Sequence, residues 1–319
     1  MIDSEIIFEF PTKISELEPF VSFESGQTAP LKLSDGAYAV GLALIDPKTT
    51  MAVSVGRQNQ LSDGQRILYN NLNSELFELS QSPIDLMWSH KNNGQIFAVG
   101  LFYSNHNDKL NQIGESTQIL RAGYRSGFLT LSGSFELIND VTATANKKLN
   151  IYDAASFSVL YEIDTLTLSG SIENFSAAQK NSGFDVSAIE NQNISLAFSD
   201  RTDFNGSHFF YRIDVLIKNT KFKTLNQKEH ENQIPMTLGI ESEFSDWLVL
   251  RSSLKQTLLI SQFESIPASE NNTQAAFGAG FKFKNIILDG ALSGLIGSAQ
   301  TGALDGNQFL SQVGITASY

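Results

Sequence analysis

The feature that most constrains this chain is a two-residue alternation of apolar and polar side chains that recurs along most of its length. Between residues 128 and 137, Leu129, Leu131 and Phe135 alternate with polar residues such as Ser132 and Glu136. The same pattern returns at 165–173 and at 208–218. Successive side chains of a β-strand point to opposite faces, so each segment is predicted to be a strand with one apolar and one polar surrounding.

The lengths of these segments and of the connections between them favour a transmembrane barrel over a soluble sandwich. Most predicted strands have about 9–12 residues, close to the length that crosses a bilayer, whereas ordinary strands have about 5–6. Short connections alternate with long ones, as periplasmic turns and extracellular loops do in transmembrane barrels. The predicted long connections are 58–82, 105–116, 139–149, 176–185, 219–234, 258–272 and 296–307.

These patterns predict an all-β fold, an antiparallel transmembrane β-barrel of about 16 strands with short periplasmic turns and long extracellular loops. The alternative is 14 strands, because the first segment, 18–25, has the weakest pattern. The barrel is predicted to span 18–319, and the acidic, partly apolar stretch 1–17 is expected to be a periplasmic tail or a plug. Within the longest loop, 65–80 has near-helical apolar spacing, which predicts a short helix in the barrel mouth or outside it.

Composition excludes several classes of function. A net charge of −12 argues against binding to DNA or RNA. The absence of cysteine excludes disulfides, thiol chemistry and cysteine-based metal sites. The four histidines lack metal-ligand spacing, and the adjacent Ser207 and His208 would point to opposite faces of a strand, so they cannot form a nucleophile–base pair. We therefore expect no enzyme activity, no cofactor and no metal site.

The C-terminal strand carries the most specific motif. Phe309, Val313 and Ile315 belong to an alternating run that ends on the aromatic Tyr319. This run resembles the terminal strand by which outer-membrane proteins are recognised for insertion, where Phe is the usual last residue and Tyr an accepted variant. The resemblance implies the barrel-assembly machinery as a partner and integral location in the outer membrane of a Gram-negative bacterium. No signal peptide is visible after Met1, so we expect it to be absent from this sequence.

A second resemblance covers residues 235–319. The stretches 239–241, 245–251 and 278–285, together with Leu288 and Asp289, resemble the C-terminal third of barrels of the FadL/PorV group. This resemblance implies a FadL-like transporter of hydrophobic compounds as an alternative function. The Asn-Pro-Ala signature expected of the fatty-acid channels in that group is missing.

With the apolar faces toward lipid, the charged side chains fall on the inner face, because a Lys or Arg exposed at mid-bilayer costs about 2–4 kcal/mol. Asp153 falls on the outer face and predicts a local bulge or a position near a rim. Together with Asp85 and Lys284, the inner face carries eight basic and eight acidic groups, which predicts weak ion selectivity. The predicted pore-lining residues are Arg121, Arg125, Glu136, Glu162, Glu173, Arg212, Asp214, Lys218, Glu241, Glu243, Arg251, Lys255, Lys282 and Asp289.

The leading hypothesis is an outer-membrane porin, because a barrel of sixteen strands leaves an aqueous channel unless it is plugged. Such a protein is a passive diffusion channel for small hydrophilic solutes and ions. The alternatives are the FadL-like transporter, a non-conducting structural or scaffold barrel, and a soluble β-rich protein. Expected partners are outer-membrane lipids, lipopolysaccharide and the assembly machinery; a homo-oligomer is left open. Aromatic residues near the strand ends, such as Trp88 and Trp247, are expected to form girdles at the membrane interfaces.

Overall fold

The computed structural model of the protein is a single closed barrel of sixteen strands in which every strand pairs with its sequence neighbours and the first strand pairs with the last. All pairings are antiparallel. The predicted fold class and the count of sixteen strands are confirmed. The structure describes residues 6–26, 37–59, 61–62, 65–66, 69, 77, 80–108, 113–143, 147–181, 184–224, 226–261, 272–296 and 312–318.

The strands range from 7 to 21 residues in length. In chain order they are β1 (Phe20–Gly26), β2 (Ala37–Asp46), β3 (Thr49–Val55), β4 (Ile84–Asn92), β5 (Gln95–Asp108), β6 (Ile113–Ser126), β7 (Leu129–Ala143), β8 (Lys147–Ile163), β9 (Leu166–Asn181), β10 (Phe184–Phe204), β11 (Ser207–Phe222), β12 (Gln227–Ser245), β13 (Leu248–Ser261), β14 (Asn272–Phe283), β15 (Ile286–Ile296) and β16 (Gln312–Ser318).

The outer face of the barrel is a belt of exposed apolar side chains. Phe23, Val99, Leu120 and Leu238 belong to this belt, and each is more than 40% exposed. Aromatic pairs lie near the short turns, for example Phe97 with Tyr124 at 5.1 Å and Trp247 with Phe281 at 6.1 Å between ring centroids. Since amphipathic aromatic rings collect at membrane interfaces, this row corresponds to the predicted girdle at the short-turn end.

Four of the predicted long connections are mostly strand in the structure. Strands β5 to β12 continue through much of 105–116, 139–149, 176–185 and 219–234. Their inner face there includes apolar residues such as Val141, Leu149 and Phe222, which are buried in one cluster. Above the membrane the outer face of such a strand meets water and becomes polar, which is why these segments look like loops in the sequence. The predicted bulge at Asp153 is present, with a register shift between Tyr152 and Ala155 and a φ of 58° at Asp153.

The chain enters the barrel through a short helical segment that lies inside the wall. It consists of α1 (Ile6–Glu9) and a 3-10 helix (Pro11–Glu16), and residues 6–17 are called the N-terminal segment below. Its 3-10 helix lies against the inner faces of β3 to β6. None of the described helices is long and apolar enough to span a membrane.

Candidate functional site

The N-terminal segment packs on the lumen side of the first strands. Ile7, Phe8 and Ile14 are buried against the inward-facing Phe20 and Leu42. The apolar inner positions of β1 to β4 are therefore covered by the protein's own chain. The backbone of β6 permits close contact at Gly123, where an added Cβ would lie 3.1 Å from the Thr12 methyl group and 3.2 Å from Cγ of Pro11.

Charged groups fix the end of the N-terminal segment to the wall. The Lys13 ammonium lies 3.1 Å from a carboxylate oxygen of Glu16 and 2.6 Å from one of Glu162, on β8. Arg125, on β6, also pairs with both carboxylates. Burial lowers the pKa of Lys13, while the hydrogen bond and the attraction of Glu162 oppose this change. Two cations and two carboxylates thus neutralise one another at this attachment.

A second inner segment, which the structure describes at residues 61–62, 65–66, 69 and 77, comes from the long connection between β3 and β4. Arg66 is fully buried, and its Nε donates to Oδ1 of Asn139 at 3.0 Å. Its guanidinium also donates to the Thr117 hydroxyl and lies 3.6 Å from the fully buried carboxylate of Glu115. Gln65, Arg66 and Tyr69 are helical, in agreement with the predicted short helix. The positions on which that prediction depended, Ile67, Leu68, Leu72, Leu76 and Leu79, lie outside the described residues.

The same segment covers the apolar inner face of the extended strands. Tyr69 and Phe77 are buried together, with ring centroids 6.0 Å apart in an edge-to-face arrangement. Around them lie inward-facing residues of β7 to β11, including Val141, Phe175 and Phe222. The Tyr69 hydroxyl donates to Oε1 of Gln179 at 3.1 Å. This region of the lumen is therefore also occupied by the chain itself.

The opposite side of the lumen is lined by polar side chains that remain accessible. Most inward-facing side chains of β13 to β15, and of the short-turn halves of β10 to β12, are half-buried or exposed. We call this surface the open wall; it comprises Arg201, Asp203, His208, Phe210, Arg212, Asp214, Thr237, Glu241, Glu243, Arg251, Ser253, Lys255, Lys282 and Asp289. It is the part of the described lumen wall that the inner segments do not cover.

Charges on the open wall form ion pairs along the wall, with partners on the same strand or one or two strands away. Arg251 lies 2.6 Å from Glu241 and 2.7 Å from Asp289. Other pairs are Lys282 with Glu243 at 2.7 Å and Arg212 with Asp214 at 2.7 Å. Because each cation of these pairs has a carboxylate within contact distance, the field of each pair falls off within a short distance of the wall.

A three-residue cluster ends the open wall beside the turn between β10 and β11. Nδ1 of His208 lies 2.6 Å from Oδ1 of Asp203, and the Arg201 guanidinium contacts both residues, at 2.7 Å and 2.9 Å. Near this cluster the N-terminal segment approaches the open wall, since Arg212 lies close enough to Glu9 for charge attraction.

All fourteen predicted pore-lining residues lie at positions that alternate with the lipid-facing row, but the structure divides them among three locations. Arg121, Arg125, Glu136, Glu162 and Glu173 belong to β6–β9, on the side that the inner segments occupy. Arg121 there forms a buried pair with Asp85 at 2.6 Å. Lys218 pairs with Glu231 at 2.9 Å above the open wall. The remaining eight are on the open wall, while Lys284 lies in the turn between β14 and β15. Their role in conduction stays a prediction.

Of the predicted insertion signal, Val313 and Ile315 are exposed on the outer face of β16. Phe309 and Tyr319 lie outside the described residues. The recognition of this strand by an assembly machinery stays a prediction.

Sequence reasoning did not identify the residues that fix the inner segments. Lys13, Glu16 and Arg66 carry no motif, and only their partners on distant strands give them a role. For Phe210 the sequence did contain a signal, because it is an aromatic residue in the mostly polar row of β11. Among the described residues, no group of three or more His, Cys, Asp or Glu side chains could hold a metal ion.

Comparisons with known proteins identify the fold. No protein-family model and no curated protein sequence matches the chain. Among solved structures, a bacterial polysaccharide outer membrane secretin is similar with a TM-score of 0.54 at 8% identity, over 95% of this chain and 98% of the other. CdiB from Acinetobacter baumannii is similar with a TM-score of 0.50 at 10% identity, over 95% and 59%. CymD, a monoaromatic hydrocarbon channel, has a TM-score of 0.43 at 9% identity, over 100% and 93%. The chain has the fold of an outer-membrane β-barrel.

Proposed function

We propose that this protein is a passive diffusion channel of the outer membrane for small hydrophilic solutes and ions, and that solutes pass along the open wall. One observation carries the proposal: the described apolar inner positions are largely covered by the two inner segments, whereas the accessible part of the lumen is polar and charged. Water wets such a wall readily, because its charged groups are already paired and partly exposed.

The paired charges support weak ion selectivity. Charged rings select ions when like charges accumulate around a pore. On the open wall each cation of the pairs described above neutralises a neighbouring carboxylate, so neither sign dominates at the surface. The proposal therefore includes conduction of both small cations and small anions.

The FadL-like alternative requires an accessible apolar surface inside the barrel. Residues suited to that role, such as Leu42, Met87 and Phe175, are buried beneath Ile7, Phe8, Tyr69 and Phe77. The scaffold alternative predicts the same fold with no conduction. The proposal includes no catalytic activity, and it includes outer-membrane lipids, lipopolysaccharide and the barrel-assembly machinery as partners.

The direct test is conductance of the refolded full chain in a planar lipid bilayer, first in symmetrical salt and then in a salt gradient. The proposal predicts steady openings and a reversal potential close to zero. Stable insertion without openings would contradict it and favour the scaffold barrel. Uptake of a hydrophobic dye into vesicles, without ion conduction, would favour the FadL-like transporter.

A further inference from the structure

Phe210 is an aromatic residue in an unusual position on the open wall. Its neighbours on the same face of β11 are His208 and Arg212, which are both polar. Among lumen-facing aromatic residues of the described strands, Phe102, Phe175 and others are buried, whereas Phe210 is 38% exposed. An apolar ring is therefore exposed to the lumen on a part of the described wall that the inner segments leave accessible.

The ring lies flat against the wall because of the residue opposite it. Phe210 pairs with Gly239 on β12. A Cβ added to Gly239 would lie only 2.0 Å from Cζ of Phe210, which shows that the ring covers the glycine directly. A ring held in this way presents one face to the lumen, and its other face is already in contact with the barrel.

Hydrogen-bonding groups surround this exposed face. On one side is the cluster of Arg201, Asp203 and His208, and Arg201 pairs directly with Phe210 across the strands. On the other side is Glu241, which is bonded to Arg251 at 2.6 Å. The ring is thus framed by both donors and acceptors, and their charges compensate one another.

We infer that Phe210 and its charged neighbours form a binding subsite for the pyranose ring of a saccharide, an inference that rests on the proposed function and names its solute class. One face of a pyranose ring is formed by C–H groups and packs on an aromatic face. The hydroxyl groups at its rim both donate and accept hydrogen bonds, as the framing residues do. Because the framing charges are paired, the subsite favours a neutral solute over an ion.

Saturation-transfer NMR of the detergent-refolded full chain tests the inference, with glucose as the probe. Sorbitol is the matched control, because it carries similar hydroxyl groups but has no rigid apolar face. We expect saturation of the glucose ring protons and little of sorbitol. The signal should be lost in Phe210→Ala, retained in Phe210→Tyr and weakened in Gly239→Ala, which pushes the ring off the wall. Leu216→Ala, at another lumen-facing position of β11, should leave it unchanged.

Bilayer conductance measured on the same preparations separates this inference from the proposed function. If the wild-type protein conducts salt but glucose receives no more saturation than sorbitol, the saccharide subsite is overturned and the proposed channel stands. Equal glucose signals in wild type and Phe210→Ala would also overturn it. Ring-dependent binding without conductance would support the subsite and contradict the proposed channel.

Discussion

Arg251, on β13, lies between two carboxylates, Glu241 on the adjacent strand β12 and Asp289 on β15, which is separated from β13 by β14. The arrangement depends on Gly280, where an added Cβ would lie 2.6 Å from the Asp289 carboxylate and 3.0 Å from the Arg251 guanidinium. A small residue on the strand between them therefore lets one cation contact both acids. Single residues of this kind determine whether the open wall presents net charge to a passing ion.

Replacing Arg251 by Gln should shift the channel toward cations. Two carboxylates would lose their partner, and unit charges 4 Å apart interact by about 1 kcal/mol in water, enough for a several-fold change in local ion concentration. The reversal potential in a salt gradient measures this shift. Arg251→Lys keeps the charge and is the matched control. An unchanged reversal potential in Arg251→Gln would contradict the role assigned to this pair.

Arg66 links the second inner segment to Asn139, Thr117 and Glu115 of the barrel wall. Arg66→Ala would leave Glu115 buried without this cation, a change that costs about 3–5 kcal/mol. We expect faster cleavage of the 58–82 region by chymotrypsin in intact barrels. Combining Arg66→Ala with Glu115→Gln should restore part of the protection, because the buried charge is then removed. Equal cleavage rates in wild type and Arg66→Ala would refute this prediction.

Among the structural elements, the strands were the most predictable from sequence and the inner segments the least. Period-two alternation predicts both which segments form strands and on which face each residue lies. Arg212 and Glu241 could therefore be assigned to the inner face without a structure. The apolar residues Ile7 and Phe8 indicated burial but not what would cover them. Ion pairs between strands, such as that of Arg251 with Asp289, depend on strand register, which alternation alone does not determine.

The extended strands show a further limit of the pattern. Residues 139–149 and 219–234 lie between the segments of apolar alternation and are therefore predicted as long connections. Their apolar inner residues, such as Val141 and Phe222, are buried in the cluster that also contains Tyr69 and Phe77. The partner of these residues is distant in sequence, so no local pattern distinguished a strand above the membrane from a loop.

The N-terminal segment is an element held mainly by apolar packing and one charge cluster, so its attachment can be weakened specifically. Lys13→Glu would place three carboxylates around Arg125. We expect the segment to dissociate from the wall more often, giving larger or more variable openings in single-channel records. Gly123→Leu should act in the same direction by excluding Pro11 and Thr12.

The matched control for the charge change is Lys48→Glu, in the exposed turn between β2 and β3. It alters the net charge by the same amount without touching the N-terminal segment. Identical conductance in Lys13→Glu, Gly123→Leu and wild type would show that this segment does not limit the conducting path.

At the level of the whole molecule, the barrel is asymmetric in its interior. One side holds the two inner segments, and the other presents the open wall. The central claim is that solutes follow the open wall. Because the chain has no cysteine, single cysteines can be introduced and modified without background reaction.

The most direct test is modification of single-cysteine channels by a charged, membrane-impermeant thiol reagent during conductance recording. Ser253→Cys places the thiol on the open wall, whereas Ser54→Cys places it at an inward position on β3 that is 1% exposed. The account predicts a rapid change of current for Ser253→Cys and none for Ser54→Cys. Rapid modification at Ser54, with no effect at Ser253, would contradict it.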